Sequence, residues 1–393
     1  MLFCAAGLNY ADRTAISAVF PLLKKEFGAT DPQLGGIGAS FLWAYAFASP
    51  IAGALADRWS RSRMVVFSLA GWSLVTLLTA GARSMNEILI TRTLLGLAEA
   101  AYLPAAIALI ADYHASDTRA TAIGLHTAGL TAGLIAGGAG AGYLGEHFGW
   151  RIGFIILGLA GLALAVVAHF VLRDRQQPGV AAAPPIGESL AALLSRPSCL
   201  IIMAEAMLIS IGTWIFLNWL PLYFQETYHL SLAQAGFAGT FMLQGAGVVG
   251  ILAGGWFSDR VAGHQPRRRM LIQSVCLLIC SPFLLVFLSA PTLVLLNLCI
   301  LGFSFFNRFS SNNETPLLCD LLPPRLRSTA LGIFNAFNTF AGGLGVLVAG
   351  YLKSTAGLAG VFAGISAIML LAAALTAIGY LFFLRKDLER RPV

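Results

Sequence analysis

Charge is what this sequence has least of. Its 393 residues include 25 Lys and Arg and 18 Asp and Glu, 11% of the chain, about half the density of an ordinary soluble domain. Hydrophobic residues make up 58%, and mean hydropathy is +0.78. A soluble fold cannot hide that much apolar surface, which excludes a cytosolic enzyme, a disordered chain and a nucleic-acid-binding module. Cys4, Cys199, Cys276, Cys280, Cys299 and Cys319 form no Cys-x-x-Cys pair and lie in or beside apolar runs. They read as membrane-core residues, and no metal site is expected. No Walker loop, nucleotide fold or catalytic triad appears, so an ATP-driven pump and an enzyme have no support and no cofactor is expected. No basic lead-in marks the start, so a cleavable targeting peptide is not expected, while an upstream start extending the first helix stays open.

What the sequence does have is long apolar runs. They fall at 1–22, 33–55, 64–82, 88–111, 120–144, 151–172, 199–223, 234–256, 270–289, 292–318, 326–350 and 358–384, each long enough to cross a bilayer as a helix. The expected fold class is an all-α polytopic membrane protein with 12 transmembrane helices in two six-helix bundles. The bundles are placed at 1–172 and 199–384, with a linker at 173–198 and a tail at 385–393. Basic residues cluster in alternate loops, whereas the opposite loops hold only Lys24, Lys25, Arg83, Arg151 and Lys353. That bias puts both termini in the cytoplasm, in a plasma (inner) membrane. Within the linker, residues 188–194 read either as a mildly amphipathic helix on the membrane surface or as plain linker.

The halves repeat. Asp112-x6-Arg119-x-Thr121-Ala122-x-Gly124 recurs as Asp320-x6-Arg327-x-Thr329-Ala330-x-Gly332, at an offset of 208 for every residue. Asp57-Arg58 recurs as Asp259-Arg260. Tandem bundles of this kind suit a carrier that rocks between two access states.

Gly53-Ala-Leu-Ala-Asp57-Arg58-Trp-Ser-Arg61-Ser-Arg63 resembles the signature loop of the major facilitator superfamily, with Ser60 where that family usually has Gly. The resemblance implies a major facilitator fold and secondary active transport, with the first, fourth, seventh and tenth spans lining a central cavity. The loop also reads as a cytoplasmic gate on physical grounds, because a carboxylate at a helix end can clasp arginines of a neighbour in one access state. The gate set is Gly53, Asp57, Arg58, Arg61, Asp112, Arg119, Asp259, Arg260, Asp320 and Arg327, with Asp112–Arg119 and Asp320–Arg327 as struts. The fifth span is rich in glycine, from Gly124 to Gly142, but lacks the Gly-Pro of the family's antiporter motif. His126 there reads as a helix contact, with a cavity role as the alternative. Trp59, Trp150, Trp219 and Trp256 read as interfacial anchors.

A charge inside a membrane needs a reason. Asp12, Arg13, Arg92, Glu99, Glu205, Arg308 and Glu314 all fall within spans. Arg92 and Glu99 share one helical face two turns apart. Asp12 and Arg13 of the first span complete a balanced cluster. Glu99, in a dry setting, reads as the main proton carrier and Asp12 as its tuner. Arg13 and Arg92 read as carboxylate clamps. An inert ion-pair network joining the first and fourth spans is the structural alternative. Tyr10, Tyr45 and Tyr102 are candidate cavity residues. At offset 208, Glu99 corresponds to Asn307, so the second half is expected to add hydrogen bonds through Asn307, Arg308 and Asn312.

Asn9-Tyr10-Ala11-Asp12-Arg13, Gly96-Leu97-Ala98-Glu99-Ala100 and Trp219-Leu220-Pro221 resemble the organic-anion:cation symporter branch. That resemblance implies proton-coupled symport of a small organic anion, a sugar acid or other carboxylate. Spinster-like lipid transporters share the Asp12, Arg92 and Glu99 pattern, so a lysophospholipid is the alternative. A non-transporting receptor or assembly factor on the same scaffold is a second alternative. Expected partners are the anion, protons from a proton gradient and membrane lipids, with no nucleic acid and a monomeric state.

Overall fold

The computed structural model describes residues 1–56, 59–174, 186–263 and 265–389, and among these the chain is helical with no strand. Asp57 and Arg58 of the signature loop lie outside the described residues, as do 175–185 of the linker and 390–393 of the tail. Helices follow in the order α1 Leu2–Ala18, α2 Phe20–Phe27, α3 Asp31–Ala56, α4 Arg61–Ala80, α5 Met85–Glu99, α6 Tyr102–Tyr113, α7 Ser116–Phe148 and α8 Trp150–Val171. They continue as α9 Ile186–Leu194, α10 Pro197–Tyr228, α11 Leu232–Ala262, α12 Pro266–Cys280, α13 Leu293–Ser311, α14 Glu314–Leu321, α15 Arg327–Ile378 and α16 Leu384–Glu389. Helices prevail because lipid offers backbone groups no partner, so each must be satisfied within its own segment.

Ten helical stretches among the described residues are long and apolar enough to cross a membrane. At 17 residues, α1 is shorter than these. The 52-residue α15 contains Gly357 at φ 64°, ψ 169°, a conformation that leaves the helix and bends the chain there.

Two spans expected to be continuous are interrupted. Over 88–111 the chain breaks between α5 and α6 at Ala100 and Ala101, and over 292–318 between α13 and α14 at Asn312 and Asn313. Proline explains both. Pro104 and Pro316 cannot donate to the carbonyls four residues earlier, on Ala100 and Asn312, and their rings crowd those carbonyls. Pro282 acts similarly, since α12 ends at Cys280 and the chain continues as a 3-10 helix over Ser281–Ser289.

The glycines of α7 let α1 approach at backbone contact. A Cβ at Gly133 would lie 2.1 Å from the Gly7 carbonyl oxygen, and one at Gly137 would lie 2.5 Å from Ala11 Cα. Gly133→Ala should therefore force the two helices apart and lower stability by about 1–3 kcal/mol. A lowered melting temperature of the purified protein would register it, whereas Gly140→Ala, with open space around its Cβ, should leave it unchanged.

The chain forms two compact units. The first holds 1–183 together with 217–240 and 346–351; the second holds 184–216, 241–345 and 352–393. In the first unit, α10 packs between the α1–α2 junction and the middle of α15. Ser17 Oγ donates to the Leu217 carbonyl at 3.3 Å, and Trp219 Nε1 donates to that of Val346 at 3.1 Å. Trp219 is fully buried and Trp150 is 3% exposed, its Nε1 donating to Glu26 at 2.7 Å. Neither is the interfacial anchor expected from sequence, because tertiary contacts cover their rings. Trp59 and Trp256 remain exposed. In the second unit α9 packs Leu193 into a core with Ile202 and Leu321, and Glu188 pairs with Arg325.

Candidate functional site: a buried ionic cluster

The break after Glu99 leaves that residue at the end of α5, fully buried and facing α1. Arg13 of α1 donates from Nε to Glu99 Oε2 at 2.8 Å and from Nη2 to Asn9 Oδ1 at 3.2 Å. Its guanidinium lies over three aromatic rings, 4.3 Å from the Tyr10 centroid, 4.8 Å from Tyr45 and 5.1 Å from Phe41. Aromatic faces favour such a cation, and the planar fork fits a carboxylate.

Asp12, adjacent in sequence, projects elsewhere. Its Oδ2 accepts from Thr76 Oγ1 of α4 at 3.1 Å. Arg92 of α5 reaches the same turn of α1, donating from Nη1 to the Asp12 carbonyl at 3.2 Å, with Phe154 of α8 under its guanidinium at 5.4 Å. Asp12, Arg92 and Glu99 are each no more than 2% exposed. Asp12 Oδ1, Glu99 Oε1, Arg92 Nε and Arg92 Nη2 make no hydrogen bond within the protein. Two acids and two guanidinium groups thus share one dry region with hydrogen-bonding capacity to spare, an arrangement able to exchange partners.

Tyr10 and Tyr45 join this cluster. Tyr102 is turned to other contacts: its hydroxyl donates to the Leu2 carbonyl at 3.1 Å and meets His126 Nε2 at 3.1 Å, while its ring sits edge-on to Trp72. The second unit holds the remaining candidates. Asn307 is 3% exposed, with Nδ2 3.6 Å from Met369 Sδ. Arg308 packs along Gly247. Asn312 lines a 480 Å³ cavity with Gly255, Asp259, Arg269 and Thr315.

Of the gate residues, Arg61 pairs with Asp112 at 2.5 Å, and Asp259 pairs with Arg269 at 2.5 Å. Arg119 Nε donates to the His114 carbonyl that ends the preceding turn. Arg327 likewise donates to the Leu322 carbonyl, and Asp320 sits near the end of α14. Arg260 stacks on Trp256 at 4.4 Å. Around Gly53 there is open space.

Sequence reading missed Asn9, Phe41, Thr76, Phe154 and Asp174. Asn9 was findable, one turn before Arg13; the others carry no local signal. Asp174, just beyond α8, accepts from the Ser62 amide at 2.8 Å and from the Ser60 hydroxyl. These bonds to the start of α4 hold its carboxyl below the usual carboxylate range, against the opposing effect of burial. A depressed value gives stability that is present above the ordinary carboxylate pKa and lost as pH falls through the lowered one. Asp174→Ala should cost at most about 1 kcal/mol at neutral pH, because the carboxylate is exposed and solvent screens its bonds. In thermal melts the gap to the parent should close under acid conditions.

The fold and the site together describe a helical membrane carrier with a buried ionic cluster in one unit. The Major Facilitator Superfamily model matches residues 2–315, and the chain belongs to that family. It is a secondary transporter and not an enzyme. It is similar to an MFS-type efflux pump of Mycolicibacterium smegmatis, with 28% identity over 90% of this chain and 83% of that protein. It is also similar to a D-galactonate transporter of Escherichia coli, with 25% identity over 95% of this chain and 92% of that one. Among solved structures it resembles a bacterial homologue of the human lysosomal transporter Spinster in an inward-facing and occupied conformation. The TM-score is 0.85 and the identity 21%, covering 98% of this chain and 96% of that one.

Proposed function

We propose that this transporter is a proton-coupled symporter of a small organic anion, a sugar acid or similar carboxylate. In this reading twelve spans form two six-helix bundles over 1–172 and 199–384 of an inner-membrane protein, with the linker at 173–198, the tail at 385–393 and both termini cytoplasmic. Glu99 carries the proton and Asp12 tunes it. Protonation of Glu99 releases Arg13 to hold a carboxylate, with Arg92 as a second clamp and Tyr10 and Tyr45 shaping the contact. Tyr102 supports the cluster from behind. In the other unit Asn307, Arg308 and Asn312 are the groups proposed to meet hydroxyls of the same substrate class. Gly53, Asp57, Arg58, Arg61, Asp112, Arg119, Asp259, Arg260, Asp320 and Arg327 form the cytoplasmic gate, with Arg61–Asp112 and Asp259–Arg269 as its ion pairs.

The observation that carries this reading is the Arg13–Glu99 pair at 2.8 Å, its side chains 5% and 0% exposed. A guanidinium held by one carboxyl can change to another when the first is neutralised. The E. coli relative named for D-galactonate supports the substrate class. A 330 Å³ apolar cavity lined by Phe3, Gly7, Gly133, Gly137 and Ile156 favours a second reading, a lysophospholipid whose alkyl chain lies against α1 and α7.

Uptake into proteoliposomes under an imposed pH gradient separates the two. Labelled D-galactonate should accumulate when the outside is acidic and leak back when a protonophore is added. If only lysophospholipid moves, the second reading replaces the first.

A further inference from the structure

The 480 Å³ cavity of the second unit has no part in proton coupling. Its size falls within the range of small-molecule sites, roughly 300–1,000 Å³. Three elements build it: α11 contributes Ile251, Gly255 and Asp259, α12 contributes Arg269, and the proline break between α13 and α14 contributes Asn312 and Thr315. A Cβ at Gly255 would lie 3.1 Å from Asn312 Nδ2. The space between α11 and the break therefore depends on a residue without a side chain.

Arg269 is the one cation among the described lining residues. Its Nη2 donates to Asp259 Oδ1 at 2.5 Å and its Nη1 to Asn313 Oδ1 at 3.3 Å. A guanidinium carries five N–H donors, so these two bonds leave others over. The ion pair is also lopsided, with the Arg269 side chain 15% exposed and that of Asp259 72%. A carboxylate so open to water is held by a screened bond worth little, and another oxyanion can take its place. We infer that this cavity is an oxyanion site, in which a phosphate group displaces Asp259 from Arg269 while Asn312 and Thr315 offer further hydrogen bonds. The planar fork of the guanidinium matches two phosphate oxygens at once.

Two sources share that chemistry, a free phosphate monoester and the headgroup of an anionic phospholipid. The second has access from the membrane side. Val249, Leu252 and Trp256 of α11 are exposed, and Arg260 stacks on Trp256 at 4.4 Å. An exposed tryptophan beside an arginine suits the level of the lipid headgroups. Asp12, Arg13, Arg92 and Glu99 all belong to the first unit. The inference adds to the role given to Asn312 above without resting on it, because binding is read without transport.

Thermal melts of the purified full-length chain test this with glycerol phosphate, with a short-chain phosphatidylglycerol and with the matching diacylglycerol, which lacks phosphate. At least one phosphate-bearing probe should raise the melting temperature with rising concentration, and the diacylglycerol should not. A response to glycerol phosphate alone assigns a free solute, and a response to the lipid alone assigns the headgroup. Arg269→Gln should weaken binding about 10–100-fold. Asp259→Asn should strengthen it by up to about fivefold, because the competing carboxylate has gone. A merely structural ion pair would not give that opposite sign. Should R269Q fail to fold, Gly255→Leu fills the cavity with the ion pair kept and should abolish the response. The proposal is overturned if neither phosphate probe stabilises the parent, or if D259N binds more weakly than the parent. A response that R269Q keeps and Arg13→Lys loses places the phosphate on the first unit's cluster and overturns it too.

Discussion

Glu99→Gln is expected to disconnect transport from the pH gradient while leaving the protein folded. With one proton per anion, each pH unit supplies about 1.4 kcal/mol, a roughly tenfold change in accumulation. The parent in proteoliposomes should follow that slope, and the variant should be flat. The amide keeps an oxygen that can accept from Arg13 Nε, so the 2.8 Å contact between α1 and α5 survives as a neutral hydrogen bond. For that reason counterflow of the same anion, which needs no net proton movement, should persist. A variant still accumulating anion in proportion to the gradient would remove Glu99 from the coupling step.

Replacing Arg13 by lysine should weaken carboxylate binding by about 10–100-fold, with a much smaller change in melting temperature. Lysine keeps the charge beside Glu99 but loses the planar fork. It also loses the flat face that rests on Tyr10 and Tyr45. The expected loss corresponds to about 1.4–2.7 kcal/mol, in the range of a hydrogen bond to a charged group. The concentration dependence of D-galactonate uptake reads the effect, and size-exclusion profiles check that the protein is intact. An unchanged half-saturation concentration would show that Arg13 only ties α1 to α5.

These two results bear on how much was already written in the chain. The apolar runs and sparse charge foretold a helical membrane protein, since no other fold could bury such a composition. The repeat around Asp112 and Asp320, with the signature loop, foretold the family. The cluster was also legible: charges at Asp12, Arg13, Arg92 and Glu99 sit where lipid tolerates none without a partner.

Partner choice was less legible. Adjacent residues on a helix project about 100° apart, so Asp12 and Arg13 diverge, one to Thr76 and the other to Glu99. Which residue awaits each depends on how α4 and α5 pack on α1. The same holds for Tyr102, which occupies a cavity-lining position in the sequence pattern yet bonds to His126 and the Leu2 carbonyl. Trp219 is of a residue type that favours interfacial anchoring, but the middle of α15 covers it.

By itself, then, the sequence determined that the chain spans a membrane as helices, repeats in halves and carries ionic groups inside it. All three follow from local quantities: hydropathy along a run, spacing along a helix and the cost of a bare charge in lipid. Tertiary structure alone decided that Arg13 pairs with Glu99 and that Asp174 anchors the start of α4. Such pairings depend on which helix faces touch, and facing is set by close contacts such as Gly133 against Gly7, which no single segment encodes.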